Sequence, residues 1–456
     1  MNTWIGPKSL SKRSAFNPEA GGQCIPTFAC SAAIPKVRIA LVCEYFYPDN
    51  SGGTPTDMSE LAQYLKQRYA EVEIEVLTSR NLYRPTGEVG SLLAREVWRG
   101  LRIRRFRTPK SNRPSMALRL LAGGVFSMTV LAYLLRHRSY DLLLVVTNPP
   151  ANALAAWFYC KLRGVPYVYF INDLYPDIAV ALGRLSPQSR ATKFFGWFQK
   201  RWLHAAARTA VVGRCMQDHI HSRYALPLAR IAVIRNWADA IQIRPLPRDN
   251  AVRRAENLSG LVVLYGGNFS RYVNFDQILA AAKLLRQNPD ITFVLIGDGT
   301  RRAEILERVE KAALKNVRVL PPVPRSAMGE VLAASDVCLI SLAPQMKGLG
   351  VPGKLYSILA AGRPVMAVVP MGSEVARVLE EEQCGVNVAD GDAEALARAI
   401  TRLKQEDGLI KRMGQNARSA LERRFTLPHA AEQFYGLFKE VLAGKGRTVD
   451  PKAIAP

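Results

Sequence analysis

Short runs of aliphatic residues alternate along the chain with segments of helical periodicity. Unbroken apolar runs are typical of parallel strands that are covered on both faces, because such strands need no polar side. Strands that alternate with helices predict parallel βαβ units. The pattern therefore predicts an α/β protein whose clearest strands are residues 37–43, 141–146, 165–171, 261–265, 291–296 and 336–341.

The same strand and helix order occurs twice, on either side of a stretch rich in Pro and Arg at residues 244–254. Such a stretch is typical of a linker, and 456 residues suffice for two hydrophobic cores. We therefore predict two doubly wound domains that face each other across a cleft. The predicted boundaries are a disordered extension at 1–35, a first domain at 36–240, a linker at 241–260, a second domain at 261–427, and a crossover helix with a tail at 428–456.

Polar and glycine-rich loops follow several of the predicted strands. Gly52 and Gly53 follow the first strand and precede a helix that we expect Thr54 to cap, and Asp173 follows the strand at 165–171. Because ligands of open α/β sheets bind beyond the carboxyl ends of strands, these residues are candidate site residues. The alternative for Asp173 is a local role in capping the turn that follows it.

A candidate anion site lies in residues 350–369. The order of residues predicts a loop, a helix that opens near Pro352, a helix-ending Gly362 and a strand after Pro364. Free amides at a helix start, together with the ammonium of Lys354, suit a phosphate or pyrophosphate. The alternative is an ordinary connecting loop, since any α/β protein has strand-to-helix loops with Gly and Pro.

The chain is strongly basic, and the excess lies in its first half. The net charge is +24, and residues 1–240 hold 32 Lys and Arg against 15 Asp and Glu, whereas residues 241–456 hold 30 against 23. This balance favours an anionic partner: lipid headgroups, nucleic acid or a phosphorylated substrate. The seven cysteines are scattered and mostly apolar in context, which favours buried thiols, so no metal site is predicted.

Residues 118–135 form an apolar segment with arginines on both sides. A bilayer span needs about 20 apolar residues, and this run is interrupted by Gly, Ser and Thr, so it is marginal as a span. We expect a helix that lies partly in an anionic membrane surface. A helix buried within the α/β domain is the alternative.

The motifs in their order resemble the family 4 glycosyltransferases, and among these the bacterial exopolysaccharide and O-antigen enzymes of the colanic acid and N-acetyl-L-fucosamine transferase type. The resemblance covers about residues 36–443. It rests on residues 48–53, 147–150, 173–177, 235–237, 265–275, 297–299, 352–365 and 372–374.

The resemblance implies the GT-B fold, which has two Rossmann-like domains, and a retaining transfer without a metal or other cofactor. The donor, a nucleotide-diphosphate sugar, would bind the second domain. The acceptor, a saccharide on a lipid carrier, would bind the first domain. The enzyme would then lie in the cytoplasm, peripherally on the inner face of the cytoplasmic membrane.

The resemblance also implies roles for single residues. Gly267, Asn268, Arg271 and Lys354 would approach the diphosphate, Gly297 and Gly299 the nucleotide, and the backbone at Val323 the base. Gly52 and Gly53 would face the donor phosphates from the first domain, and Asp173 and Glu374 are the predicted catalytic residues.

One feature departs from the family pattern. Many members carry two glutamates eight residues apart, and the matching positions here are Leu349 and Ser357. The ribose contact would therefore pass to Ser357 or to Glu374.

Two other functions fit parts of the sequence. An epimerase that acts on nucleotide sugars has the same two-domain fold, but it would need an acid and base pair and no membrane. A nucleic-acid-binding protein is suggested by charge alone. It is disfavoured because no recognition motif is present and the basic residues are not interleaved with exposed aromatic residues, so nucleic acid is not a predicted partner.

Overall fold

The chain forms two parallel α/β sheets with helices on both faces. A computed structural model describes residues 36–49, 53–82, 92–109, 116–137, 140–406 and 408–444. The predicted disordered extension at 1–35, the candidate Gly52 and the end of the tail lie outside the described residues.

The first lobe is built on an eight-stranded sheet in the order β3-β4-β2-β1-β5-β6-β7-β8, in which only β3 is antiparallel to its neighbour. The strands and helices of this lobe are β1 Val37–Val42, α1 Thr54–Arg68, β2 Val72–Ser79, β3 Arg95–Trp98, β4 Leu101–Phe106, α2 Met116–Arg136, β5 Leu142–Val146, α3 Asn152–Arg163, β6 Tyr167–Ile171, α4 Asp177–Ala181, α5 Arg190–Ala205, β7 Arg208–Val211, α6 Arg214–Tyr224 and β8 Ile231–Val233.

A connection that contains α7, Ala251–Ala255, leads to the second lobe, whose six parallel strands have the order β11-β10-β9-β12-β13-β14. Its elements are β9 Leu261–Gly266, α8 Phe275–Leu284, β10 Ile291–Ile296, α9 Arg302–Lys311, β11 Val317–Leu320, α10 Met328–Ala333, β12 Val337–Ser341, α11 Lys354–Ala360, β13 Val365–Val368, α12 Glu374–Glu382, β14 Gly385–Val388, α13 Ala393–Gln405, α14 Leu409–Arg424 and α15 Leu427–Ala443. The prediction of an α/β fold with two doubly wound sheets is confirmed.

The structure corrects several details of the predicted elements. Helix α1 begins at Thr54 itself, and Gly53 is the N-cap, so Thr54 is not the capping residue. The short strands β3 and β14 and the helices α4, α5, α7, α10 and α14 were not predicted. Both strands lie at sheet edges, where fewer residues are buried and the apolar signal in the sequence is weak.

Strand order and handedness determine which helices share a face of the first sheet. The connections through α2, α3 and α5 run toward β8, whereas the connection through α1 runs in the opposite direction, from β1 to β2. Right-handed crossovers therefore place α2, α3 and α5 in one layer and α1 in the other. The contacts agree, since α2 packs on α3 and α3 packs on α5, while α1 packs on α15.

Helix α2 is partly buried and partly exposed. Phe126, Val130 and Leu134 are buried against the sheet and α3, whereas Leu120 and Met128 are exposed. Residues Leu118–Arg136 are long and apolar enough to cross a membrane by length and composition alone, a test that the core helix of a soluble protein also passes. One side of α2 is therefore buried in the α/β domain, as in the alternative, and the membrane contact expected of the other side stays a prediction.

The last helix returns to the first lobe. Tyr435 of α15 stacks on Tyr69 with ring centroids 3.7 Å apart, and Phe434 meets Phe170 of β6 edge to face at 5.1 Å. Both Phe434 and Phe170 are fully buried. Apolar packing continues through α15 into the face of the second sheet that carries α11 and α14, so the two lobes share one hydrophobic cluster.

We predict that Phe434→Ala lowers the free energy of unfolding by about 3–5 kcal/mol, because it leaves a cavity between α15 and β6. Urea denaturation followed by circular dichroism measures the change. Gln433→Ala, at an exposed position on the same helix, is the matched control and should leave the midpoint unchanged. Equal effects of the two substitutions would mean that α15 contributes no packing to the first lobe.

Candidate active site

The candidate site lies where the carboxyl ends of the two sheets meet. In each sheet the direction of winding reverses beside one strand, at β1 next to β5 and at β9 next to β12. Loops that follow strands at such a switch point form the ligand crevice of open α/β proteins. The loops after β6 and β7 touch the loops after β12 and β13, so the carboxyl edges of the sheets face each other.

Three predicted donor-binding glycines pack against one another. Gly267 follows β9, and Gly297 and Gly299 follow β10, and all three have positive φ angles of 142°, 152° and 151°. A Cβ on Gly297 would overlap the carbonyl of Gly267, and a Cβ on Gly299 would overlap Asn268 Oδ1. Only glycine satisfies both the backbone angle and the spacing, and the result is an open backbone surface beside Asn268.

Lys354 lies against this glycine surface. Its Nζ is 3.8 Å from the centroid of the Tyr265 ring, and a Cβ on Gly267 would lie 2.8 Å from Nζ. Burial lowers the pKa of Lys354 to about 7, with a small opposing effect of the Cys338 thiol. A lysine held in this way gains a charge partner when an anion enters, so the site is prepared for a phosphate-bearing ligand.

The helix that carries Lys354 opens close to the predicted place. Helix α11 begins at Lys354, two residues after Pro352, and the amides of Leu355 and Tyr356 donate to the carbonyls of Pro352 and Gly353. These two amides are engaged within the first turn. The lysine side chain is therefore the group of this segment that we consider for an anion.

Asp173 faces the second lobe from the end of β6. A Cβ on Gly350 would lie 3.2 Å from Asp173 Oδ1, so the carboxyl group packs directly on the segment that precedes α11. Its side chain makes no hydrogen bond or ion pair within the described ranges, and the predicted alternative of a turn cap is not seen. The side chain is exposed to solvent between the lobes, but the protein around it excludes enough water to raise its pKa to about 6.

Glu374 joins the two lobes. It is 1% exposed and begins α12, and its oxygens accept hydrogen bonds from Arg214 N at 2.7 Å, Arg214 Nε at 3.2 Å and Arg235 Nε at 2.7 Å. Burial would raise the pKa of Glu374, but the hydrogen bonds from the two arginines outweigh it and lower the pKa. Arg214 also pairs with Glu381, so both ends of α12 are tied to the first lobe.

This arrangement bears on the predicted catalytic role of Glu374. Both carboxylate oxygens are engaged by arginines, and the helix is capped by Ser373 rather than by Glu374. The geometry gives Glu374 a structural role between the lobes in this conformation. The catalytic or ribose-binding role stays a prediction that these contacts do not favour.

The remaining predicted site residues are dispersed around the interlobe region. Arg271 is exposed after β9, Val323 is half-buried after β11, Ser357 is half-buried in α11, and Gly53 is exposed at the start of α1. The loop with Val323 reaches the first lobe through Arg325, which pairs with Glu60 of α1 at 2.8 Å. The roles of these residues stay predictions.

Sequence reasoning missed Arg214, Arg235 and Tyr265 as contributors to the site. Arg214 follows Gly213 directly after β7, and Val351 and Glu374 pack on Gly213 so closely that a side chain there would collide with them. The rule that selected Asp173, a polar residue just beyond a buried strand, would also have selected Arg214. Nothing in the sequence indicates that Tyr265 would lie under Lys354, because this contact depends on how β9 and α11 pack.

No group of three or more His, Cys, Asp or Glu side chains with metal-binding geometry occurs in the part of the chain that the structure describes. The predicted independence from metal is untested.

Comparison with known proteins decides the family. The model of the Glycosyl transferase 4-like domain matches residues 52–237, and the model of Glycosyl transferases group 1 matches residues 249–420. The chain is 30% identical over 351 residues to the probable glycosyltransferase WbjE of Pseudomonas aeruginosa, covering 74% of this chain and 84% of that protein. The chain is a family 4 glycosyltransferase. The resemblance found in the sequence is confirmed, and the epimerase and nucleic-acid-binding alternatives are set aside.

The chain is also 23% identical over 331 residues to the putative colanic acid biosynthesis glycosyl transferase WcaI of Escherichia coli, covering 70% of this chain and 80% of that protein. Among solved structures, sucrose-phosphate synthase of Thermosynechococcus elongatus superimposes with a TM-score of 0.70 at 19% identity, covering 90% of this chain and 100% of that one. Anabaena HepE in complex with UDP and glucose gives 0.66 at 16% identity, covering 88% and 99%. The fold of this glycosyltransferase is GT-B, as predicted.

We predict that Lys354→Met weakens binding of a nucleoside diphosphate by at least about tenfold, because a cation facing the diphosphate is lost. The same substitution should raise the thermal midpoint of the free enzyme near pH 7, since it removes a cation that burial disfavours. Wild-type stability should rise with pH between about 7 and 10.5, the folded value and the ordinary value of the lysine pKa, because only the unfolded state stays protonated there. Calorimetry across pH measures both effects.

Lys347→Met is the matched control, since Lys347 is an exposed lysine seven residues earlier. It should change neither the affinity nor the pH dependence of the midpoint. Unaltered diphosphate binding by Lys354→Met would remove Lys354 from the donor site.

We predict that Glu374→Ala separates the lobes, because it removes the carboxylate that Arg235 pairs with and leaves Arg214 with Glu381 alone, at a cost of about 3–5 kcal/mol. Small-angle X-ray scattering should show a larger radius of gyration, while circular dichroism stays that of a folded protein. Adding Arg214→Ala to this variant should cost less than the two single changes together.

Glu380→Ala, at an exposed position of α12, is the control and should leave the scattering curve unaltered. If Glu374→Ala kept the wild-type radius of gyration but lost turnover, the catalytic assignment of Glu374 would be correct and the structural one wrong.

Proposed function

We propose that this glycosyltransferase transfers a sugar, with retention of anomeric configuration, from a nucleotide-diphosphate sugar to a lipid-linked saccharide in the synthesis of a bacterial exopolysaccharide or O-antigen. The observation that carries the proposal is Lys354, a half-buried cation beside the glycine surface of Gly267, Gly297 and Gly299. A buried lysine is costly, and an anionic ligand at the site offsets that cost.

In this proposal the second lobe binds the donor. The diphosphate lies on the backbone of Gly267 and Asn268, within reach of Lys354 and of the exposed Arg271. As the bond to the sugar breaks, the departing diphosphate gains negative charge, which a protonated Lys354 stabilises. The structural neighbour HepE supports a donor of this kind, since it was crystallised with UDP and glucose and with UDP-glucose. The name of WcaI, which refers to colanic acid biosynthesis, supports the proposed pathway class.

Asp173 is the proposed polar group of the first lobe at the reacting sugar. Its carboxyl group lies across from Gly350 and has no partner within the described residues. With its pKa raised to about 6, it can accept a hydrogen bond or a proton from a sugar hydroxyl near neutral pH.

The acceptor is proposed to reach the first lobe from a membrane surface. The first half of the chain carries the charge excess, and the outer side of α2 exposes Leu118, Leu120, Leu121 and Met128. Apolar side chains among basic residues suit the headgroup region of an anionic membrane. The proposed location is therefore peripheral, on the cytoplasmic face.

A donor screen followed by product analysis tests the proposal. UDP-, GDP- and dTDP-sugars are tested by thermal shift. The sugars linked to one of these three nucleotides should raise the thermal midpoint of the enzyme by several degrees. With that donor and a polyprenyl-diphosphate saccharide, NMR of the product should show the anomeric configuration of the donor. Asp173→Asn should retain donor binding but lose most turnover.

Each result has a defined consequence. Stabilisation by none of the donors would reject a nucleotide-sugar enzyme, and an inverted anomeric centre would reject retention. Turnover by Asp173→Asn at the wild-type rate would reject the role of Asp173.

A further inference from the structure

Helix α5 has an unusual arrangement of aromatic residues. Its inward side is formed by Thr192, Gln199, Trp202 and Leu203, which are buried against the first sheet. Positions 194 and 197 lie on the opposite side of the helix, and there Phe194 is 56% and Trp197 is 50% exposed. Large aromatic side chains on the outward side of a surface helix expose apolar area to water, which marks an interaction surface.

These aromatic side chains are packed into a continuous row. Phe194 meets Phe198 at 4.9 Å between ring centroids, and Phe198 meets Trp197 at 4.8 Å and the buried Trp202 at 5.6 Å. The row is therefore anchored in the core at one end and open to solvent at the other. Rings held in this way present a rigid apolar ridge and lose little conformational entropy on binding.

Basic side chains surround the ridge. Arg201 lies 4.1 Å over the Trp197 ring, and Arg190, Lys193 and Lys200 are exposed on the same helix. None of these four cations pairs with a carboxylate among the residues that the structure describes. A surface of this composition attracts an anionic partner to the aromatic residues.

The neighbouring helices α2 and α3 also carry basic residues and no acidic ones. Helices α2, α3 and α5 lie side by side in one layer, and their sequences contain eight Lys and Arg and no Asp or Glu. The exposed apolar residues of α2 lie between Leu118 and Met128, in the first two thirds of the helix, and those of α5 lie in its first half, whereas Phe158 and Leu162 lie in the second half of α3. Helices that follow parallel strands begin at the carboxyl edge of the sheet, so the exposed apolar residues of α2 and α5 lie mostly on the side of the layer nearest the candidate active site.

We propose that the outward sides of α2, α3 and α5, named here the basic aromatic face, dock the enzyme on the headgroup region of an anionic lipid bilayer, with the α5 ridge of Phe194, Trp197 and Phe198 as the main apolar contact. The proposal adds a membrane-docking surface to the proposed transfer to a lipid-linked acceptor. It rests on that proposed function, which gives the enzyme a reason to dock. Docked in this way, the enzyme has the edge of its active site close to the membrane surface, where the saccharide of such an acceptor begins.

A bilayer fits this face better than a protein does. Tryptophan and phenylalanine beside arginine and lysine are the residues that favour the boundary between headgroups and acyl chains. A second copy of this chain is a poor occupant, because a two-fold interface would bring eight cations of one copy against eight of the other without a carboxylate on these helices.

Vesicle partitioning of the full chain tests the proposal. With vesicles of phosphatidylcholine and 30% phosphatidylglycerol that contain no acceptor, Phe194→Ser with Trp197→Ser should weaken binding by about tenfold or more. Lys193→Glu with Lys200→Glu should weaken binding to these vesicles but have little effect with pure phosphatidylcholine. The control is Ile241→Ser with Met371→Ser, two residues that are 86% and 71% exposed outside the basic aromatic face.

Tryptophan fluorescence provides a second measurement. Wild-type emission should shift to shorter wavelength on vesicles, because Trp197 leaves water, and Trp197→Phe should lose most of the shift while keeping most of the binding. Wild-type partitioning by the Phe194 and Trp197 double variant would overturn the proposal. So would an equal loss in the control, or a wild-type dimer that dissociates in the double variant during sedimentation.

The donor screen separates failure of docking from failure of the proposed function. Each variant is also tested for stabilisation by the nucleotide sugar that stabilises the wild type. If stabilisation is intact while vesicle binding is independent of the ridge, the docking proposal fails and the enzymatic proposal stands. If vesicle binding depends on the ridge while no donor stabilises the wild type, the docking surface stands and the proposed reaction fails.

Discussion

A buried carboxylate between two arginines organises the meeting of the lobes. Glu374 is removed from water, and it stays ionised there because Arg214 and Arg235 of the first lobe supply hydrogen bonds and positive charge. These contacts hold the start of α12 against the start of α6 and against the segment after β8. Since Gly213 at the start of α6 also meets Val351, and Asn236 after β8 meets Gly353, the distance between the two halves of the candidate site depends on this contact.

The two candidate site residues Lys354 and Asp173 both have shifted pKa values. Lys354 and Asp173 come from different lobes, and the protein around each excludes water and disfavours its charge, so their pKa values move toward neutrality from opposite sides. Such pairs are common where a ligand supplies the missing interactions. The Lys354 ammonium, which has no anionic partner in the described part of the free enzyme, lowers the stability of the fold. A bound diphosphate supplies that partner, so the same residue increases the affinity for it.

Local rules predicted most of the fold. Unbroken apolar runs located the central strands to within one or two residues, because a strand covered on both faces leaves no room for polar side chains. The errors lie where several local options compete. Gly53 and Thr54 can each precede a helix, and α11 starts at Lys354 because the amides that follow it close a tighter turn with Pro352 and Gly353.

The candidate site was only partly predictable for a different reason. The glycines after β9 and β10 can be found from their place at strand ends and Lys354 from its place at a helix start, but the partners of Glu374 lie 139 and 160 residues away in sequence. No local pattern encodes such a pair; it follows from how two folded lobes meet. An early acidic residue in a helix suggests a favourable dipole contact, and only the packed structure shows that its charge is used across the interface.

Helix α5 illustrates the limit of reading apolar content alone. The sequence directs attention to α2, whose apolar run is long, whereas α5 has polar and charged residues between its aromatic ones. Because a helix turns 100° per residue, spacing decides which side chains face water, and Phe194 and Trp197 are placed opposite the buried Thr192 and Gln199. A shorter helix with fewer apolar residues can therefore carry the proposed membrane contact, since binding at a membrane surface depends on apolar area on the outer side together with positive charge around it.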